Sequence, residues 1–251
     1  MKTTILSSFA AAAVAAVCLP QLANAQTPAP ASSASSRPAF GVAIKASTFG
    51  YGVDAALRVH DKVNVRGTVN FLSLSHDFDD TDSNITYVGK LSFHSLAATV
   101  DWFPFGSGFH VSPTFVLNNG NKVTLSSLIP AGKTIDIDDV TYQSSSSNPI
   151  KAAGEVTFKN ARPGVVIGWG NIAGGRRVTV PFELGVVFGG APAGKLSFTG
   201  TACQSNGQNC RDMATDATIQ THVRAAEVDL NDTIKILRFY PVLSLGIGFR
   251  F

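Results

Sequence analysis

From Leu243 to Phe251 every odd position is large and apolar (Leu243, Leu245, Ile247, Phe249, Phe251), while the even positions are Ser244, Gly246, Gly248 and Arg250. A strand turns successive side chains to opposite faces, so this segment has one greasy face and one small or polar face. A water-soluble sheet must cover both the face and the edge of such a strand. A closed barrel in a bilayer has no edge to cover. It turns the apolar face to lipid and the polar face to its lumen.

The same alternation recurs upstream. Phe40, Val42, Ile44 and Ala46 form one run, and Tyr51, Val53, Ala55, Leu57 and Val59 a second. Val63 to Phe71, Ile85 to about Trp102, Phe109 to Leu117, Val165 to Trp169 and Val178 to Phe188 follow, with the terminal segment as the eighth. In the Ile85–Trp102 run the apolar parity switches near Ser95, which predicts a β-bulge. Three short connections, His60–Lys62, Pro104–Gly108 and Asn171–Arg177, alternate with another short one, Thr48–Gly50, and three longer polar ones: Asp77–Asn84, Asn118–Asn160 and Gly189–Arg238. Short periplasmic turns and long extracellular loops are the habit of outer-membrane barrels.

The pattern predicts an all-β fold over residues 39–251: an eight-stranded antiparallel up-and-down transmembrane β-barrel with extracellular loops. Two weaker alternations, Ile135–Tyr142 and Glu155–Phe158, leave ten strands open, although their acidic, Ser-rich surroundings favour an extension above the membrane. One loop helix is expected, because Val223, Ala226, Leu230, Ile234 and Leu237 recur at helical spacing. Asp216 or Thr215 would cap its start.

The amino-terminal end carries an export address. Lys2 is followed by an apolar run from Ile5 to Leu19 and by Ala23-Asn24-Ala25, so residues 1–25 read as a signal peptide cleaved after Ala25. Residues 26–38 (QTPAPASSASSRP) read as a flexible periplasmic leader. The mature chain then keeps 19 of the 20 basic residues and all 17 acidic ones, a formal charge of 19 − 17 = +2. That is no electrostatic footprint for nucleic acid. Cys203 and Cys210 flank a polar, Gly-containing loop, and in an exported protein they are expected to form a disulfide.

The terminal strand, with its final Phe, resembles the carboxyl-terminal signal of Gram-negative outer-membrane barrels. The whole mature chain resembles the small outer-membrane barrels of the OmpA/OmpX/OmpW-like class. Its YPVLSLGIGFRF ending and VDWFPFGSGFHVSPTF segment resemble outer-membrane proteins with a Y-P-V-x-S-L-G tail. The resemblance implies an outer-membrane location, lipid and lipopolysaccharide as neighbours, and delivery to the barrel-insertion machinery through Leu243, Leu245, Ile247, Phe249 and Phe251. It implies a monomer and names no reaction.

Parity sends Lys45, Asp54, Arg58, Arg66, Asp101, His110, Glu183 and Arg250 into the lumen. Ionised groups in a narrow lumen are costly unless paired or hydrated, so these residues form either a charged plug or a filter for small solutes. An interior of this size is just wide enough for side chains to fill, which favours the plug. Trp102, Phe103, Phe105, Phe109 and Trp169 lie near strand ends and fit an interfacial aromatic girdle. A lipid-modifying enzyme would draw on His76, His94 or His110 with Ser75, Ser95 or Ser112, but His94 and Ser95 point to opposite faces of a strand. His110-Val111-Ser112-Pro113 departs from the His-x-Ser-Asn pattern of lipid A deacylases. The Asp77–Asp82 and Asp136–Asp139 clusters lack the spacing of an EF-hand. No metal or cofactor is expected. The expected role is structural or in surface interaction, with a narrow pore or binder of small or hydrophobic solutes as the alternative.

Overall fold

The computed structural model describes residues 39–80 and 85–251. Residues 1–38, where a signal peptide and a leader are expected, and residues 81–84 of the Asp77–Asn84 loop lie outside the described residues. Sixteen strands and one long helix follow in order: β1 (Phe40–Ser47), β2 (Gly50–His60), β3 (Val63–Asp80), β4 (Ile85–Trp102), β5 (Phe109–Asn119), β6 (Lys122–Ile129), β7 (Thr134–Ile137), β8 (Val140–Ser144), β9 (Ile150–Thr157), β10 (Arg162–Trp169), β11 (Val178–Thr179), β12 (Phe182–Phe188), β13 (Ala193–Thr199), β14 (Thr201–Cys203), β15 (Arg211–Asp212), α1 (Ala217–Ile234) and β16 (Phe239–Arg250).

Eight staves close the barrel. The circle runs β1, β2, β3, β4, β5, β10, β12, β16 and back to β1, each pair antiparallel. The closing seam pairs Gly41 with Arg250 and continues to Ser47 with Ser244. The expected Val178–Phe188 strand is split into β11 and β12. Pro181 sits between them and has no N–H to give the ladder, yet both pieces hold one register against β16.

The staves β3 and β4 rise well beyond the barrel. Their ladder runs from Val63↔Trp102 to Asp80↔Ile85 without a shift in register. The predicted bulge in β4 is therefore absent. The bulge of this region lies on β5 instead, where Leu117 is the extra residue between the pairs Ala97↔Val116 and Leu96↔Asn118. The parity switch has a different cause. In the lower half of β4 the buried inner face is Ser95, Ala97, Thr99 and Asp101, and the exposed outer face is Leu96, Ala98, Val100 and Trp102. Above Ser95 the inner residues become Phe93, Leu91, Tyr87 and Ile85, and the outer ones His94, Ser92 and Lys90. The strand stays regular while its two environments exchange. Below, it is a barrel wall with a polar lumen; above, it is a water-exposed sheet with an apolar core.

The Asn118–Asn160 and Gly189–Arg238 stretches, expected as long polar loops, build that upper sheet. The upper parts of β3 and β4 continue through β6 and β9 to β13. A second sheet, ordered β15-β14-β8-β7, packs beside it. The β7–β8 hairpin turns through Asp138 and Asp139, both at positive φ, as a two-residue primed turn requires. Ile135–Tyr142 is thus a hairpin outside the barrel, and the barrel keeps eight staves. The two sheets and α1 enclose a core that includes Ile85, Ile129, Ile135, Ile150, Met213 and Val223. Asp216 caps α1, its carboxylate accepting from the Thr218 and Ile219 amides at 3.0 and 3.1 Å. Cys203 and Cys210 are joined in a disulfide that ties the Gln204–Asn209 loop.

Candidate functional site

The lumen is stacked in layers. At the end with short turns, the Asn171–Arg177 turn folds inward and seats Ile172 and Ala173 against Ala43 and Ala56. Asn171 Oδ1 holds that turn by accepting from the Gly174 amide at 2.6 Å and from Asn64 Nδ2 at 2.9 Å. The close approach demands glycine at residue 41, because a Cβ there would stand 2.2 Å from the Ile172 carbonyl oxygen.

Above this floor lies a layer of buried charge centred on Arg66. The guanidinium donates through Nη1 to Asp54 Oδ2 at 3.2 Å, and through Nη2 to Asp101 Oδ1 at 2.9 Å and to Glu183 Oε1. Lys45 Nζ lies 3.0 Å from Asp54 Oδ1 and 3.7 Å from Glu183 Oε2. Hydroxyls supply the remaining donors: Thr68 to Asp54 at 2.6 Å, Ser112 to Asp101 at 2.7 Å and Ser244 to Glu183 at 3.0 Å. Three carboxylates therefore face two permanent cations, with His110 beside them. Buried ions of this density persist only when each is paired and hydrogen-bonded, and here five strands contribute to the pairing.

The charge layer borders a cavity of about 50 Å³ lined by Thr68, Asn70, Ser95, Thr99 and Thr114 among others. That volume is on the order of a few water molecules. Arg66 Nε and Asn70 Oδ1, two buried polar atoms with no protein partner, belong to residues that line it. An apolar cap closes the other end, with Phe49, Ala97, Val116 and Val187 packed against Tyr240 and Val242. Tyr240 fixes the cap by donating to the Thr48 carbonyl at 2.6 Å.

Of the lumen residues expected from parity, Lys45, Asp54, Arg66, Asp101, His110 and Glu183 are brought together. Two are not. Arg58 and Arg250 are only half-buried, and Arg58 turns to Asp61 in the adjoining turn at 2.8 Å. Both lie at strand ends, where the wall no longer shields them. Among the girdle residues, Phe105, Phe109 and Trp169 form a chain of ring contacts on the outside, with Trp102 exposed as well. Phe103 is a correction: it is buried and packs its ring on His110, because the chain leaves β4 there and turns inward. Sequence reasoning pointed to Ser112 only as a candidate nucleophile and did not single out the hydroxyls of Thr68 and Ser244, though parity puts all three on the lumen face. It also missed Arg162, which lies at the mouth, buried, with its guanidinium against the Phe158 ring.

Two chemical readings of this layer can be weighed by geometry. Donor atoms of Asp101, His110 and Glu183 lie within 4.8 Å of one another, as a metal would want. Arg66 Nη2 already bridges both carboxylates, so a cation entering there meets a guanidinium. Ser112, His110 and Asp101 are also in contact, but in the wrong order for nucleophilic catalysis. Ser112 donates its proton to Asp101, while His110 Nδ1 touches the same hydroxyl at 2.8 Å. A nucleophile needs the imidazole as acceptor and the carboxylate behind the imidazole. His94 and His76 stand elsewhere, in the upper parts of β4 and β3.

No protein-family model matches the chain, and no curated protein matches its sequence. Solved structures do match its fold. Acinetobacter baumannii CarO superposes with a TM-score of 0.53 at 18% identity, over 84% of this chain and 97% of that one. Acinetobacter baumannii CarO2 gives a TM-score of 0.55 at 16% identity, over 86% of this chain and all of that one. The chain has the fold of a small outer-membrane β-barrel.

Proposed function

We propose that the protein is a non-enzymatic outer-membrane barrel that anchors a surface-interaction domain. The carrying observation is the filled lumen: an inward-folded turn, an ion-pair layer and an apolar cap occupy it and leave a small cavity between the last two. The domain built on β6–β9, β13–β15 and α1 stands on the long-loop side, which faces the cell exterior in such barrels. Lipid A and lipopolysaccharide surround it. Lys90, Thr124, Glu155 and Lys195 form one row across four strands on the outer face of the upper sheet, and Lys122 lies beside Glu155, a surface that suits lipopolysaccharide phosphates. The β16 strand serves as the insertion signal, and the barrel works as a monomer.

A narrow pore is the second reading, favoured by the cavity beside the charge layer. It requires Phe49 and Tyr240 to part and the Arg66 ion pairs to open. Single-channel recording in planar bilayers separates the two. The anchor gives no discrete steps; reproducible steps altered by Asp101→Asn would establish the pore instead.

A further inference from the structure

The upper sheet has two edges, and they are treated differently. At the β13 edge α1 supplies partners for the backbone. Leu196 N–H donates to Glu227 Oε1 at 2.7 Å, Gly194 N–H to Asn231 Oδ1 at 2.9 Å, and Asn231 Nδ2 donates back to the Gly194 carbonyl at 3.0 Å. Glu227 and Asn231 are one helical turn apart, so a single helix face closes the edge.

Among the described residues the opposite edge has no such cover. The β2 ladder ends on β3 at Tyr51↔Phe71, and from Leu72 to Asp79 β3 is paired on the β4 side alone among the described residues. These eight residues span about 27 Å at the usual strand rise. The Phe71 carbonyl faces the start of β2, since a Cβ on Gly50 would stand 2.6 Å from it. The period of two then turns the N–H and C=O groups of Ser73, Ser75, Asp77 and Asp79 to the open side. On the inner face Leu74 and Phe78 are each 53% exposed, opposite Leu91 and Tyr87. On the outer face stand Ser73, Ser75, Asp77 and Asp79.

We propose that Leu72–Asp79 is an acceptor edge for an extended peptide segment of alternating apolar and basic residues, a deepening of the surface-interaction reading on which it rests. Backbone pairing would hold the segment as an added strand. Its apolar residues would lie on Leu74 and Phe78, and its cations would meet Asp77 and Asp79. A second copy of this chain fits less well. Two barrels in one membrane raise their β3 strands in the same sense, and parallel pairing sets the two acidic runs side by side, where like charges repel.

The test uses the full barrel in lipid nanodiscs and a labelled nine-residue peptide alternating Lys and Val, read by fluorescence anisotropy against empty nanodiscs. Saturable binding is expected. Ser75→Pro removes one outward N–H and leaves the β4 ladder intact, as edge strands allow; it should weaken binding at least tenfold while heat-modifiable gel mobility stays normal. Asp77→Asn with Asp79→Asn should weaken it further and flatten its salt dependence. The proposal is overturned if the peptide does not bind, if Ser75→Pro binds equally well, or if a block peptide of four Val then five Lys binds as tightly. A concentration-dependent dimer lost in Ser75→Pro would overturn it in favour of self-pairing. Silent bilayers with no peptide binding would sink this inference alone; discrete channel steps would sink the anchor reading.

Discussion

Replacing Arg66 with Met keeps an unbranched apolar stem of comparable length and removes the cation on which three carboxylates converge. Each charge-assisted hydrogen bond lost is worth about 1.5–3 kcal/mol, so the gross loss from contacts to Asp54, Asp101 and Glu183 is about 4.5–9 kcal/mol. Two features reduce it. Lys45 still pairs with Asp54 and Glu183, and the adjoining cavity lets water reach the exposed carboxylate oxygens. The net cost should fall at about 3–5 kcal/mol, the range for breaking a buried pair by removing one partner. Asp101 suffers most, since it keeps only the Ser112 hydroxyl and the neighbouring His110. Arg66→Met combined with Asp101→Asn should therefore recover part of the loss, with a coupling of about 1–3 kcal/mol. Arg66→Lys should be intermediate, because an ammonium cannot fork to several carboxylates. The assay is urea unfolding of the folded barrel in lipid vesicles, followed by Trp102 and Trp169 fluorescence. A cost below about 1 kcal/mol for Arg66→Met, with no coupling to Asp101, would refute the view that Arg66 organises the lumen.

Three further outcomes are expected. Glu227→Ala with Asn231→Ala should speed hydrogen exchange at the Gly194 and Leu196 amides and cost about 1 kcal/mol per lost bond, leaving heat-modifiable barrel mobility unchanged. Gly41→Ala should force the Asn171–Arg177 turn out of the barrel, at about 1–3 kcal/mol, and open that turn to protease in inverted vesicles; an unchanged cleavage pattern would count against the inward fold. Reducing Cys203–Cys210 frees a loop whose closure is worth about 2–3 kcal/mol, so the upper domain should melt earlier while the barrel does not.

Much of the barrel was legible in the chain because alternation is a local property. The residues of β16, β2 and lower β3 read the same way in isolation as in the closed sheet, and parity alone put Lys45, Asp54, Arg66, Asp101, His110 and Glu183 on one face. It could not tell which of them would meet. Arg58 shares the parity of Asp54 yet pairs outward with Asp61, because it sits where the wall ends. Phe103 looked like a girdle residue from its place beside Trp102, and the direction of the chain past β4 turned it inward. The Asn118–Asn160 and Gly189–Arg238 stretches hid strands because Ser, Gly and Ala interrupt the apolar alternation in β6, β9 and β13, and their ladders join residues far apart in sequence.

The long β3–β4 hairpin marks the division between the two kinds of information. Residue order alone sets a period of two from Val63 to Asp80 and from Ile85 to Trp102, and with it which residues share a face. It also recorded a switch near Ser95 in which face is apolar. The meaning of that switch comes from the assembled fold. The strands leave the barrel at the level of Phe71 and Leu96, so one unbroken face passes from lipid to water and the other from a polar lumen to an apolar surface, buried at Ile85 and open to water at Leu74 and Phe78. Alternation is set by backbone geometry. What each face must be is set by the solvent it meets, and that depends on where the rest of the chain places the sheet.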